Sequence, residues 1–106
     1  MAYYSFTKNI LEGKPINVYN YGKVSRDFTY IDDVIKGINQ IIKRKRIKNY
    51  SIYNIGNNSS VNLLDFIRTL EDKLNRKAKL NKLPIQPGDV KKTWANVDKL
   101  IDDYNY

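Results

Sequence analysis

Tyr3, Phe6, Ile10 and Leu11 recur at helical spacing near the start of the chain, and Gly13 followed by Pro15 supplies a stop. Ile16 to Tyr19 reads as a short strand running into a turn at Asn20-Tyr21-Gly22, and Arg26 to Tyr30 as a second extended piece. The clearest helical pattern comes next. Val34, Ile35, Ile38, Ile41 and Ile42 form one apolar stripe, with Asp32 at the N-cap position. Ser51 to Ile55 is apolar-rich and ends at Gly56-Asn57-Asn58, the pattern of a buried strand opening into a loop. Asn62 caps a further helix, with Asp65 three residues later in the manner of a capping box, and Leu63, Ile67, Leu70 and Leu74 form its seam. Ala78 to Leu83 predicts another strand, Pro84 to Gly88 a loop, and Val97, Leu100, Ile101 and Tyr104 a last helix. No repeat or low-complexity linker interrupts this order. The mixture predicts an α/β chain (α+β as an isolated segment), with one domain over residues 1–106.

Composition narrows the chemistry. The 106 residues contain no cysteine and no histidine. Disulfide frameworks, thiol nucleophiles, Cys/His zinc sites and Ser-His-Asp triads are therefore excluded, and no metal site is expected. Lys and Arg number 19 against 11 Asp and Glu, a net charge of +8. Such a balance suits nucleic acid or any ligand carrying phosphate. Part of it is compositional, because Lys, Asn and Ile dominate the chain as an AT-rich coding sequence would dictate. The run Lys43-Arg44-Lys45-Arg46, with Lys48 beyond, falls at a predicted helix end, where cations complement the macrodipole. The nine tyrosines are spread over the helical and strand patterns instead of clustering near the lysines. A free-standing basic RNA-binding module is thus the secondary reading, and no nucleic-acid partner is expected. No apolar stretch approaches the roughly 20 residues that cross a bilayer, and no charged-then-apolar leader opens the chain. A cytoplasmic protein without a membrane partner is expected. Met1 to Tyr4 enters a helical pattern without a cap and Tyr104 to Tyr106 stops without a polar tail, which suggests a piece of something larger.

Three stretches carry candidate chemistry. In Arg26-Asp27-Phe28-Thr29-Tyr30-Ile31-Asp32-Asp33, Arg26 offers a planar fork of donors to a phosphate or carboxylate, and Asp27 stands beside it to orient the guanidinium. Asp32 and Asp33 resemble a carboxylate pair, but their place at a helix start favours capping. In Tyr53-Asn54-Ile55-Gly56-Asn57 a glycine ends a predicted strand, where open α/β sheets place ligand loops; an ordinary turn explains it equally well. In Gln86-Pro87-Gly88-Asp89-Val90, Pro and Gly set a turn, and Asp89 either accepts from sugar hydroxyls or closes that turn. No G-x-G-x-x-G and no P-loop pattern occurs, so no residue is assigned to cofactor binding.

Taken in order, Met1 to Gly22 (MAYYSFTKNILEGKPINVYNYG), Arg26 to Val34 (RDFTYIDDV), Tyr53 to Asn57 (YNIGN) and Leu83 to Leu100 (LPIQPGDVKKTWANVDKL) cover essentially the whole chain. They resemble the C-terminal, substrate-binding portion of the Rossmann-type extended short-chain dehydrogenases/reductases. The similarity is to NAD-dependent nucleotide-sugar epimerases, and within them to the UDP-glucuronate 4-epimerase group. The resemblance implies a UDP-sugar ligand, NAD held by an N-terminal Rossmann domain absent from these residues, and a homodimer for the full-length enzyme. The family's Tyr-x-x-x-Lys pair belongs to that other domain. Tyr4 and Lys8 meet its bare spacing, but in a helix that precedes the substrate strands, so no residue here is expected to be catalytic. By the same resemblance Arg26 matches the arginine that binds the diphosphate, Asn17 and Tyr19 lie on the strand laid against the uracil ring, and Asp89 matches the acid that contacts the ribose. UDP-galactose epimerases often carry a second phosphate-binding arginine three residues before that acid. Here the position is Gln86, the form shared by uronate-epimerase relatives. A 4,6-dehydratase or a decarboxylase of nucleotide sugars is the alternative within the family.

Overall fold

A computed structural model describes residues 2–45 and 49–106. Two compact units divide them. One comprises residues up to Ser25 together with Val61–Lys92, the other Arg26–Ser60 together with Thr93–Tyr106.

In the first unit, helix α1 (Ala2–Glu12) buries Ile10 and ends as its sequence predicts. The amide of Gly13 bonds the Ile10 carbonyl at 3.2 Å and that of Lys14 the Asn9 carbonyl at 2.8 Å. This double closure satisfies two carbonyls that a helix end leaves open. Strand β1 (Pro15–Val18) alternates as a half-buried strand should, with Ile16 and Val18 inside and Asn17 outside. After it the chain turns back through Asn20 and Tyr21, both at positive φ. Strand β2 (Ser25–Arg26) begins at the boundary of the unit and pairs with β3 (Val61–Asn62), which leads directly into helix α3 (Leu63–Leu74). Asn62 caps that helix as expected, its Oδ1 accepting from the Leu64 amide at 2.9 Å. Asp65 does not close a capping box. Its carboxylate accepts from Arg68 one turn further on, at 2.8 Å. The α3 seam buries Leu63 and Ile67 and half-buries Leu70 and Leu74. Strand β4 (Lys79–Lys82) pairs parallel to β1, with Asn17 opposite Asn81 and their side-chain amides bonded at 3.0 Å. Ile16, Val18, Val24, Leu63 and Ile67 form the core of this unit, with Phe6, Leu64, Phe66 and Ala78 packed on it.

In the second unit, helix α2 (Ile31–Lys43) departs from expectation twice. Its N-cap is Tyr30, extended and without a side-chain cap, so Asp32 and Asp33 fall inside the first turn. They sit where carboxylates favour the helix dipole, two and three positions past the cap. The apolar stripe is only partly covered: Val34 and Ile41 are half-buried, while Ile35, Ile38 and Ile42 are 47%, 40% and 73% exposed. The helix ends at Lys43, ahead of the rest of the basic run, of which Arg46 lies outside the described residues, as does Lys48. In the extended piece expected over Arg26 to Tyr30, strand pairing ends at Arg26, while Tyr30 at its far end has extended dihedrals.

Ser51 to Ile55 forms no strand. The segment is held by side chains in place of a ladder. Tyr53 donates its hydroxyl to Asp103 at 2.6 Å, Lys99 donates to the Ile52 carbonyl at 3.1 Å, and Asn54 to that of Asn96 at 3.2 Å. Helix α4 (Asp98–Tyr104) supplies two of those partners. It buries Leu100 and Tyr104, and Val97 just before it is buried too, while Ile101 stays exposed. The Tyr104 ring meets Tyr53 edge-on at 5.4 Å. Gln40 and Arg44 donate to the carbonyls of Asn105 and Asp103, tying the end of α2 to the end of α4. Among the described residues no helix is long and apolar enough to cross a membrane.

The bond to Asp103, reinforced by burial, holds the Tyr53 hydroxyl above its ordinary tyrosine value. A raised folded value means that the stability this bond adds is intact below pH 10 and is lost as the pH climbs through the Tyr53 titration. Phenolate absorbance should show Tyr53 among the tyrosines that titrate late, and Tyr53→Phe should remove its share of that late step while flattening the alkaline fall in melting temperature. The outward isoleucines of α2 carry a second expectation: sedimentation velocity of the isolated chain should show self-association that weakens when Ile35 and Ile42 are replaced by Lys. A compact monomer at every concentration would contradict it.

Candidate functional site

The five residues picked from sequence fall in both units. Asn17, Tyr19, Gln86 and Asp89 belong to the first, and Arg26 opens the second. Asn17 projects from the outer face of β1, where its Oδ1 accepts from Asn81, and Tyr19, half-buried, begins the turn that follows. Gln86-Pro87-Gly88-Asp89 is a turn, closed by the Asp89 amide on the Gln86 carbonyl at 3.1 Å. Proline in its second place and Gly88 at φ +79° in its third are what this turn requires, since a left-handed third residue strongly favours glycine. Asp89 Oδ1 accepts from the Val90 amide at 2.9 Å. The turn and the carboxylate at its end coexist, so the two readings of Asp89 are not rivals. Arg26 is half-buried at the end of β2.

Tyr4 and Lys8 lie one turn apart on α1, with the Tyr4 ring largely exposed. Tyr19 and Lys23 have the same spacing, but across the Asn20-Tyr21 reversal and not along a helix. Of the two pairs only Tyr4 and Lys8 lie along an α-helix, the one that precedes β1.

Asp27 does something that its position beside Arg26 did not suggest. Its Oδ1 accepts from the Asn57 amide at 3.1 Å and the Thr29 hydroxyl at 3.4 Å, and its Oδ2 from the amides of Asn58 at 3.1 Å and Ala95 at 2.9 Å. Two successive amides, with Asn58 in the left-handed region at φ 55°, converge on one anion, as in the concave nests that backbone forms for anions. Bonds from amides to a charged acceptor are about twice as strong as neutral ones. Gly56 permits the approach. A Cβ there would stand 2.5 Å from the Ala95 Cβ and 3.1 Å from Asp27 Oδ2. Tyr106, a residue that sequence reasoning passed over, donates its hydroxyl to the Gly56 carbonyl at 2.9 Å. Burial, then the Asp33 and Asp27 charges, raise that hydroxyl's proton affinity and keep it a donor. Gly56, Asn57, Asn58, Val97 and Tyr106, with Asp33 and Lys36, line a cleft of about 320 Å³ within the second unit. Among the described residues no group of three acidic side chains is placed to hold a metal ion.

Comparison with known proteins defines the class. Residues 2–56 match the model of the NAD dependent epimerase/dehydratase family, and the chain belongs to that family. Over its whole length it is 42% identical to UDP-glucuronate 4-epimerase 4 of Arabidopsis thaliana, covering 28% of that protein, and 40% identical to the CapI protein of Staphylococcus aureus, covering 36%. The crystal structure of UDP-glucuronic acid 4-epimerase from Bacillus cereus, in complex with UDP-glucuronic acid and NAD, superposes with a TM-score of 0.91 at 36% identity, over all of this chain and 34% of that one. The chain spans about a third of the length of these relatives. Rossmann-type extended epimerases of this kind are the structural setting expected from the four sequence motifs.

Because the Gly56 contact is with a Cβ fixed to backbone, it cannot be relieved by a rotamer change. Gly56→Ala should lower stability by about 1–3 kcal/mol in a thermal or urea melt. Adding Ala95→Gly, which removes the atom 2.5 Å away, should restore much of the loss.

Proposed function

We propose that this chain is the UDP-sugar-binding segment of an NAD-dependent nucleotide-sugar 4-epimerase whose substrate is UDP-glucuronate. What supports the reading is the likeness to a UDP-glucuronic acid 4-epimerase over every described element, together with an arginine at the end of β2 in the motif Arg26-Asp27-Phe28. In this reading Arg26 holds the diphosphate with its planar fork, and Asn17 and Tyr19 lie against the uracil. Asp89 accepts from the ribose hydroxyls, its carboxylate carried at the end of a rigid turn. Gln86 contributes a neutral side chain at the position where UDP-galactose epimerases often place a second arginine, so Arg26 bears more of the diphosphate charge.

The reaction inverts the C4 hydroxyl by oxidation and re-reduction, with NAD carrying the hydride. No glycine-rich fingerprint occurs in the 106 residues, so none is assigned to NAD. Binding of the cofactor is ascribed to the part of the enzyme outside this chain. The task of these residues is to hold the nucleotide so that the sugar is presented in one orientation, which converts remote binding energy into rate.

Isothermal titration of UDP into the intact protein tests this. A charge-assisted, bidentate contact corresponds to about 1.5–3 kcal/mol, so Arg26→Ala should weaken UDP about tenfold or more. Unchanged affinity removes Arg26 from the site. Tight RNA binding in moderate salt without measurable UDP binding would replace the reading altogether.

A further inference from the structure

We infer that Asp27 is the positioning residue of the diphosphate site, fixing the backbone from which Arg26 is presented; this rests on the reading of Arg26 as a diphosphate ligand. The four bonds that Asp27 accepts come from three separate places, the Asn57-Asn58 loop, the segment at Ala95 and its own neighbour Thr29. A side chain held at both oxygens from three directions has one rotamer, and its Cα is fixed with it. The Arg26 Cα lies one peptide away, about 3.8 Å along a rigid unit. β2 ends at Arg26, so strand pairing stops where the carboxylate takes over.

A fork that must meet a diphosphate bidentately tolerates little error at its root. Anchoring the root leaves the side-chain torsions free but removes the backbone ordering that binding would otherwise require. The packing around the carboxylate agrees with this role. Gly56 leaves no room for a side chain between the Asn57-Asn58 loop and Ala95, so the three amides are brought to the carboxylate without slack. The Tyr106 hydroxyl on the Gly56 carbonyl holds the loop from its other side. Asp27→Asn keeps the size of the side chain but places an amide donor against incoming N–H groups, and so releases the anchor while Arg26 remains.

A double-substitution cycle read by isothermal titration of UDP into the intact protein separates positioning from a merely structural role. Asp27→Asn should weaken UDP about tenfold, and Arg26→Ala about tenfold or more. The double variant should bind within about twofold of Arg26→Ala alone, because a residue that acts through another adds nothing once that other is gone. Multiplied losses in the double variant, or Asp27→Asn binding like the wild type, overturn the positioning role and leave Arg26 as a ligand. Wild-type affinity for Arg26→Ala overturns the diphosphate reading and this inference with it. If circular dichroism shows that Asp27→Asn does not fold, Asp27→Glu takes its place in the cycle. It keeps the charge and both acceptors one methylene further out, and should give a smaller loss with the same non-additivity.

Discussion

Three backbone amides in the second unit, those of Asn57, Asn58 and Ala95, would have no partner in a helix or strand, and all three close on the carboxylate of Asp27. The Ala95 bond is partly buried, so leaving that amide unpaired would cost about 1–3 kcal/mol, whereas the amides of Asn57 and Asn58 lie at exposed residues and add less each. The Gly56–Asn58 loop and the approach to α4 thus share one side chain as a common anchor, with Tyr106 holding the loop at the Gly56 carbonyl as well. Strand pairing ends at Arg26, the residue before this carboxylate, and Ser51–Ile55, which has no ladder, is held by its own bonds to Asp103, Lys99 and Asn96 and leads into the loop that Asp27 binds.

The first unit is organised by a different force. There Ile16 and Val18 are wholly buried on one face of β1, and a parallel partner, β4, pairs one edge of the strand. Burying aliphatic side chains of this size is worth about 1.5–3 kcal/mol each. The alternation that puts them inside also puts Asn17 outside, so the outward residues of β1 are a by-product of a core requirement. A ligand-facing role for Asn17 costs the fold nothing, because the position is polar whatever it binds.

Much of this was legible in the residues. Each of the four helical patterns became a helix, with α1 stopping at Gly13 and α3 capped by Asn62, because those signals act over three or four residues and need no distant partner. The turn at Gln86–Asp89 was legible for the same reason: Pro87 and Gly88 encode it locally. What could not be read was whatever depends on residues far apart in sequence. Asp27 looked like a partner for Arg26, yet its bonds run to residues 30, 31 and 68 positions away. Ser51–Ile55 has a strand's composition, but a strand exists only with a neighbour, and composition does not say whether one is present. The stripe on α2 shows the periodicity of a buried face, and periodicity does not say what covers it.

Membership of an epimerase family is carried by the chain as a whole, whereas recognition of a nucleotide has to be carried by individual side chains, and the two need not travel together. The net charge of +8 is poor guidance between them, since lysines scattered over exposed positions attract any polyanion. A diphosphate is distinguished from other anions by geometry: two linked tetrahedral groups that a planar fork can meet at two oxygens at once. Selectivity at such a site depends on how firmly one arginine is held more than on how many cations surround it. In the proposed reading, glutamine at position 86 leaves that burden to one fork, and the residue next to it is the most heavily bonded carboxylate described in the second unit. The densest set of bonds to a carboxylate there would then lie beside the side chain with most need of a fixed root.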